Sequence, residues 1–283
     1  MSANKSKSYP NKSMRVHLVQ MCSVNDKKKN LDDFLTHLEG VNAQAGDMFF
    51  LPENSLFMRG SQAEVVETFD LQGGELEPLQ NYCRDKQVFM HLGAIGVRHL
   101  EKTYNASVKI FPDGSLEDSY RKIHLFDVEV DGEKLIRESD AFHAGESLNT
   151  FKFQGVEFGQ TICYDLRFSK LFLAYADLGV DVILVPSSFF YVTGKDHWEV
   201  LNRARAIETQ CFIIAAAQGG LHAGKQKTWG HSMIVDPWGH IVAEIPNSSD
   251  KPQSVLAELD LSLIAKARRQ IPLAEHRLRG FSS

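Results

Sequence analysis

Three residues of this chain sit where side-chain chemistry is most easily supported. Cys163 lies in Gly159-Gln160-Thr161-Ile162-Cys163-Tyr164-Asp165-Leu166-Arg167-Phe168, where a strand ends at Ile162 and a helix soon begins. Backbone N–H groups and a helix N-terminus at such an elbow favour the thiolate, the nucleophilic form. A cysteine can equally be a small buried hydrophobe, which is how Cys22, Cys83 and Cys211 read. Glu53 follows the continuous apolar run Met48-Phe49-Phe50-Leu51 and Pro52. Desolvation at a buried strand end makes a carboxylate a usable proton acceptor, although a capping or surface glutamate fits the same spacing. Lys122 lies in Tyr120-Arg121-Lys122-Ile123-His124-Leu125-Phe126-Asp127. A lysine held in a pocket stabilises a developing oxyanion; an edge strand guarded by lysine against aggregation looks the same.

Other chemistries lack their residues. There is no G-x-S-x-G elbow for a serine hydrolase. There is no H-E-x-x-H and no His/Cys cluster at ligand spacing, so no metal is expected. No Walker loop or G-x-G-x-x-G follows a strand, so no nucleotide cofactor is expected either. The four cysteines have no C-x-x-C spacing. Of 283 residues, 43% are hydrophobic and 24% charged, with net charge −5, which suits a globular domain with a substantial core. The longest basic run, Lys27-Lys28-Lys29, is too short to point to nucleic acid. No apolar stretch of about 18 residues is present to span a membrane. The polar segment 1–13 reads as a flexible tail without a signal peptide, so a cytoplasmic protein with reduced thiols is expected. Sequons begin at Asn4, Asn11, Asn105 and Asn247, and without secretion they read as chance.

The elements that must position these residues alternate between helices and apolar strands. Val16 and Leu18 mark a strand. Leu31, Phe34, Leu35, Leu38 and Val41 recur at helical spacing. Leu76, Leu79, Tyr82 and Cys83 mark a second helix, and 88–97 a strand. Pro112-Asp113-Gly114 predicts a hairpin between 106–111 and 116–120, Gly155 a second and Asp236-Pro237-Trp238-Gly239 a third. Ser169 is placed to cap a helix through Leu178. Strands are expected at 182–185 and 212–217, with a helix around Trp198 to Glu208 between them. The loop 187–195 before that helix is expected to line the pocket. Asp260 is placed to cap a last helix that stops before Pro272. The pattern predicts an α/β domain with helices covering mixed sheets.

Taken in order, Leu51-Pro52-Glu53, Arg121-Lys122-Ile123-His124-Leu125-Phe126-Asp127 and Ile162-Cys163-Tyr164-Asp165-Leu166-Arg167-Phe168 resemble the motifs of the nitrilase superfamily of carbon–nitrogen hydrolases. The resemblance runs from about Arg15 to Arg279. Glu138-Ser139, followed by Gly145, resembles the family's second glutamate. The segments 197–211, 229–233 and 236–239 are closest to the Nit branch, which includes deaminated glutathione amidase and omega-amidase.

The resemblance implies a four-layer αββα sandwich as a single domain over 14–283, and a homodimer or larger assembly. It implies an amidase without a cofactor, acting on a small carboxylated amide through a thioester. Deaminated glutathione is the expected substrate, 2-oxoglutaramate-like monoamides the alternative; a catalytically silent scaffold on the same fold is the reading from another class. Cys163 would be the nucleophile and Glu53 the proton carrier. Lys122 and the Tyr164 N–H would hold the oxyanion, with Glu138 orienting Lys122. Arg167 is a candidate carboxylate anchor, although an ion pair with Asp165 fits it as well. Ser188, Phe189, Thr193 and His197 are the further substrate-side candidates. Two departures stand out. Ser169-Lys170 replaces the family's usual Pro-Glu, and 189–191 is more aromatic than the branch.

Overall fold

The computed structural model describes residues 11–129, 136–224 and 226–277. Two sheets dominate them. The first has the spatial order Gln253–Asp260, Ser13–Gln20, Met48–Phe50, Phe89–His91, Lys102–Ile110 and Ile95–His99, with Leu116–Arg121 also pairing Lys102–Ile110. The second runs Ile241–Ile245, Ser232–Val235, Phe212–Ala215, Val182–Leu184, Val156–Gln160 and Thr150–Phe153. The helices are α1 (Lys27–Glu39), α2 (Glu77–Lys86), α3 (Ser169–Asp177), α4 (Tyr191–Thr209), α5 (Ser262–Gln270) and the short α6 (Leu273–Arg277).

Alternation along the strands divides the apolar side chains into three layers. Phe49, Val88 and Met90 pack against Phe34 and Leu38 of α1 and Leu79 and Cys83 of α2. Val16, Leu18, Phe50 and Phe89 meet Phe158, Leu184, Phe212 and Ile234 of the other sheet. Ile183, Ile213 and Val235 pack against Phe172 and Tyr175 of α3 and Trp198 and Ala206 of α4. Three buried layers between four layers of structure are the αββα sandwich. The inner layer is aromatic: Phe151 stacks on Phe158 at 4.8 Å and Phe50 lies 6.1 Å from Phe158.

Several expectations need correction. The tail was expected to reach residue 13, but Ser13 already pairs with Asp260; residues 1–10 lie outside the described residues. The strand expected over 88–97 is two strands, both antiparallel to Lys102–Ile110. The break is at Gly93, where φ is +71° and an added Cβ would stand 2.2 Å from the Pro52 carbonyl oxygen. Only glycine permits that approach, and it lets the chain clamp the segment carrying Glu53. Ser169 opens α3 but its side chain does not cap it. Helix α4 begins at Tyr191, so only the first part of 187–195 is loop. Position 194 within that helix is glycine because a Cβ there would meet Trp229 at 2.3 Å. Asp260 does accept from the Ser262 N–H at 2.9 Å, as expected of a cap.

A buried polar relay also crosses the inner layer. The Gly93 N–H donates to His91 Nδ1 at 3.1 Å, so the ring hydrogen is on Nε2 and faces Gln160 Oε1 at 3.1 Å. Burial pushes the His91 pKa down to about 3. The unfolded chain therefore takes up a proton near pH 6.5 that the folded chain refuses until about pH 3. Stability falls as pH drops through that window, by up to about 1.4 kcal/mol per pH unit for one proton. His91→Gln should flatten the dependence of unfolding free energy on pH between 6 and 4 by about that slope, measured by urea titration; an unchanged slope removes His91 as its source.

Candidate active site

Each reactive side chain is fixed by the way its segment leaves a strand. The Leu51 N–H donates to His91 O, Glu53 bridges Ala94, and the Asn54 N–H donates to Ala94 O at 2.8 Å. Gln218 donates to the Glu53 carbonyl at 3.0 Å. Lys122 follows the strand Leu116–Arg121, its N–H donating to Asn105 O and its carbonyl accepting from the Gly145 N–H. A Cβ at Gly145 would strike Arg121 O at 2.2 Å, which is why glycine occupies that position. Glu138 opens a short 3-10 turn, and its Oε2 accepts from the Phe126 N–H at 2.7 Å.

Cys163 sits at a sharp elbow with φ +49°, a conformation that costs a non-glycine residue roughly 1–3 kcal/mol. The surroundings enforce it. The Cys163 N–H donates to Pro186 O at 2.9 Å, and a 3-10 turn runs from Cys163 to Arg167. The wholly buried Asp165 carboxylate accepts from the Ile162 N–H at 2.9 Å, the Tyr120 hydroxyl at 2.7 Å and His124 at 2.7 Å. Asp165 thus ties the elbow to the segment bearing Lys122. It is not the ion-pair partner of Arg167, whose guanidinium lies 5.3 Å from the Phe189 ring centroid and 3.2 Å from His197 Nδ1.

The three segments bring their side chains together. Lys122 Nζ lies 2.8 Å from Glu53 Oε1 and 2.8 Å from Glu138 Oε2. Burial alone would push the Lys122 pKa down, but Glu138 and Glu53 outweigh it and raise the pKa well above the usual range, so the group stays an ammonium. The Cys163 thiol shares the cavity with the Glu53 carboxylate and Ser188, and both act on its proton. Here the expected thiolate is corrected. Complete burial first, and the negative charge of Glu53 second, push the thiol pKa well up, against the opposing pull of Lys122 and the Ser188 N–H. The resting group is therefore a thiol beside a carboxylate, an arrangement suited to general-base activation.

In the sequence Asn105 shows only as the start of a chance sequon. It is 2% exposed, and its Nδ2 donates to Glu53 at 2.9 Å and to Glu138 at 3.0 Å. One amide spaces the two carboxylates around Lys122. Asn105→Ala should lower kcat about 10- to 100-fold, the effect of losing hydrogen bonds to charged, buried acceptors. Steady-state kinetics would test this, and a kcat within twofold of wild type would show that the carboxylates need no such spacer.

These groups open into a cavity of about 170 Å³. Of the sequence candidates, Glu53, Lys122, Glu138, Cys163, Tyr164, Arg167, Ser188, Phe189 and Thr193 line it. His197 does not: it lies exposed on α4 beside Arg167. Phe190 of the expected loop lines it too, and Arg59, Arg137, Phe142 and Gln226 line it unforeseen. Among the described residues, no group of three or more His, Cys, Asp or Glu could hold a metal ion, and no helix is long and apolar enough to cross a membrane.

A thiol facing a carboxylate, with a buried ammonium between two acids, is the equipment of a cysteine hydrolase that works by acyl transfer. Comparison with known proteins agrees. The chain belongs to the carbon–nitrogen hydrolase family, whose profile matches residues 15–269. It is 38% identical over 279 residues to the nitrilase and fragile histidine triad fusion protein NitFhit of Drosophila melanogaster, covering 98% of this chain but only 59% of the fusion. It is 38% identical over 275 residues to deaminated glutathione amidase of Homo sapiens, covering 94% of this chain and 83% of that protein. The solved structure of Saccharomyces cerevisiae Nit3, a member of branch 10 of the nitrilase superfamily, matches with TM-score 0.78 at 30% identity, covering 98% of this chain and 99% of that one. The chain is a hydrolase of carbon–nitrogen bonds other than peptide bonds, with the character of an amidase.

Proposed function

We propose that this enzyme hydrolyses deaminated glutathione to 2-oxoglutarate and Cys-Gly. The observation that carries the reading is the cavity itself, which joins Cys163, Glu53 and Lys122 to the guanidinium of Arg167. Glu53 takes the thiol proton as Cys163 Sγ bonds to the amide carbonyl carbon. The Lys122 ammonium and the Tyr164 N–H receive the oxyanion, a contribution of about 3 kcal/mol per donor. The Cys163 N–H is already given to Pro186 and cannot serve. The C–N bond then breaks, Glu53 passes its proton to the leaving amine, and a 2-oxoglutaryl thioester remains. Water, deprotonated by Glu53, attacks the thioester, and the proton returns to the Cys163 sulfur. Glu138 takes no proton; it holds Lys122 in place. Arg167 anchors the acyl carboxylate, with Phe189 beneath it and Thr193 beside the acyl chain. The relatives named deaminated glutathione amidase support this substrate over a monoamide that releases ammonia.

Mass spectrometry of protein incubated with deaminated glutathione tests the reading. Formation of 2-oxoglutarate and Cys-Gly supports it; ammonia release from 2-oxoglutaramate alone would assign the omega-amidase reaction instead.

The same proposal includes a homo-oligomer. Val200 and Ile207, one face of α4, are 64% and 49% exposed, and Trp238, beside the Gly239 that packs against Ile207, is 47% exposed. Apolar groups clustered in this way mark a contact surface. Ile207→Glu should shift the sedimentation coefficient toward a monomer, and an unchanged value would remove α4 from the interface. Cytoplasmic placement fits four unpaired cysteines, one of them needed as a thiol.

A further inference from the structure

Besides Arg167 and the exposed Arg137, the cavity is lined by a third guanidinium, Arg59, that the reaction steps leave unused. Arg59 belongs to the segment that runs on from Glu53 and lines the same cavity as Arg167, which follows Cys163. Its charge is poorly matched by the protein. Nη1 reaches only two backbone carbonyls, Gln62 O at 3.3 Å and Glu64 O at 3.5 Å. Among the described residues no carboxylate lies within ion-pair distance of it. Of the acids near enough to attract it, Glu138 and Glu64 are engaged elsewhere, and Asp140 is exposed and forms no ion pair with it. Glu64 accepts from the Gly60 N–H at 2.9 Å and from Asn25 at 3.1 Å. Glu138 is held by Lys122, Asn105 and the Phe126 N–H. Burial pushes the Arg59 pKa down, the direction of a cation that has lost water without gaining a full partner. The Gly60–Glu64 turn fixes the backbone beside it, and a Cβ at Gly60 would already stand 3.0 Å from Glu64.

From this geometry we infer that Arg59 binds a carboxylate on the leaving group, making the enzyme selective for amides charged at both ends. The inference rests on the amidase reading above. Glu53 must hand its proton to the departing amine, so the leaving group lies on the Glu53 side of the cavity, where Arg59 is mounted. The acyl part lies on the Cys163 side, where Arg167 is mounted. Guanidinium and carboxylate match in geometry as a two-point contact. A leaving group that ends in glycine offers that carboxylate, and ammonia offers nothing.

The test compares deaminated glutathione with its C-terminal carboxamide, which differs only in the charge of the leaving group. Wild type should favour the acid at least tenfold in kcat/KM, mostly through KM. Arg59→Gln should bring the acid-to-amide ratio close to one, and Arg59→Lys should retain part of the preference. A merely structural role would depress both substrates together and leave the ratio intact. Equal use of both substrates by wild type, or an undiminished ratio in Arg59→Gln, overturns Arg59 as the anchor while the amidase reading stands. Hydrolysis of neither substrate by wild type overturns both. The wild-type comparison needs no variant to fold.

Discussion

Cys163→Ala should abolish turnover, with kcat falling by about 10⁶, the scale on which loss of a covalent nucleophile leaves only binding and oxyanion contacts. Cys163→Ser loses nearly as much. A hydroxyl is much harder to deprotonate than a thiol, and Glu53 must remove its proton in the same buried space. The variant keeps the fold, because Cys163 is held by its backbone through Pro186 and by the Asp165 network, not by side-chain packing alone. The resting thiol adds a second observable. Its pKa lies well above the ordinary thiol value, so without substrate the alkylation of Cys163 by iodoacetamide should keep rising past pH 9 and not level off near neutrality. Turnover need not follow that curve, since Glu53 takes the proton as the bond forms. Full activity in either variant, or a plateau of alkylation below pH 8, would displace Cys163 from the role or show a preformed thiolate.

Much of this site is legible in the chain itself, for reasons that mark where legibility ends. Met48–Phe50 and Val182–Leu184 are apolar at every position because parallel strands inside a sandwich are covered on both faces. The turn at 112–114 is legible because proline, aspartate and glycine each have a local reason to be there. Glu53, Lys122 and Cys163 stand out because each is a reactive group at a strand end. Asn105 is different. Its position depends on the register in which Lys102–Ile110 pairs Leu116–Arg121, with Ala106 opposite Arg121, and register is settled by the whole sheet. Arg59 was invisible because the chain after Glu53 shows neither the period of a strand nor that of a helix. The thiolate expectation failed for a related reason. A strand-to-helix elbow suggests a helix dipole, whereas the turn after Cys163 is a five-residue 3-10 segment, and the dominant influences are burial and a glutamate distant in sequence. His197 looked poised beside Trp198, but on α4 it is exposed beside Arg167, and Trp198 is buried in the core rather than in the cavity.

Glu53→Gln separates proton transfer from positioning, and its expected effect is the second largest. The amide keeps the shape and the oxygen that accepts from Lys122 and Asn105, so the constellation should persist. Lys122 also remains an ammonium, because Glu138 lies 2.8 Å away and is the stronger of its two charge partners. What is lost, on the mechanism proposed above, is the carboxylate that takes the thiol proton, returns it to the leaving amine and then activates water. General acid–base catalysis by a positioned group contributes roughly 10²–10⁴-fold, and Glu53 acts at more than one step, so kcat/KM for the amide should fall by about 10⁴. The two halves of the reaction should respond differently to the leaving group. An activated ester of the acyl part needs no proton for departure and should still acylate Cys163 slowly. The resulting thioester should then persist, detectable by intact-mass spectrometry as a stable acyl adduct that Cys163→Ala does not form. Prompt hydrolysis of that adduct in Glu53→Gln would place the water-activating base elsewhere, with Glu138 the next carboxylate to test. Retention of more than a tenth of wild-type amide turnover would remove Glu53 from proton transfer altogether.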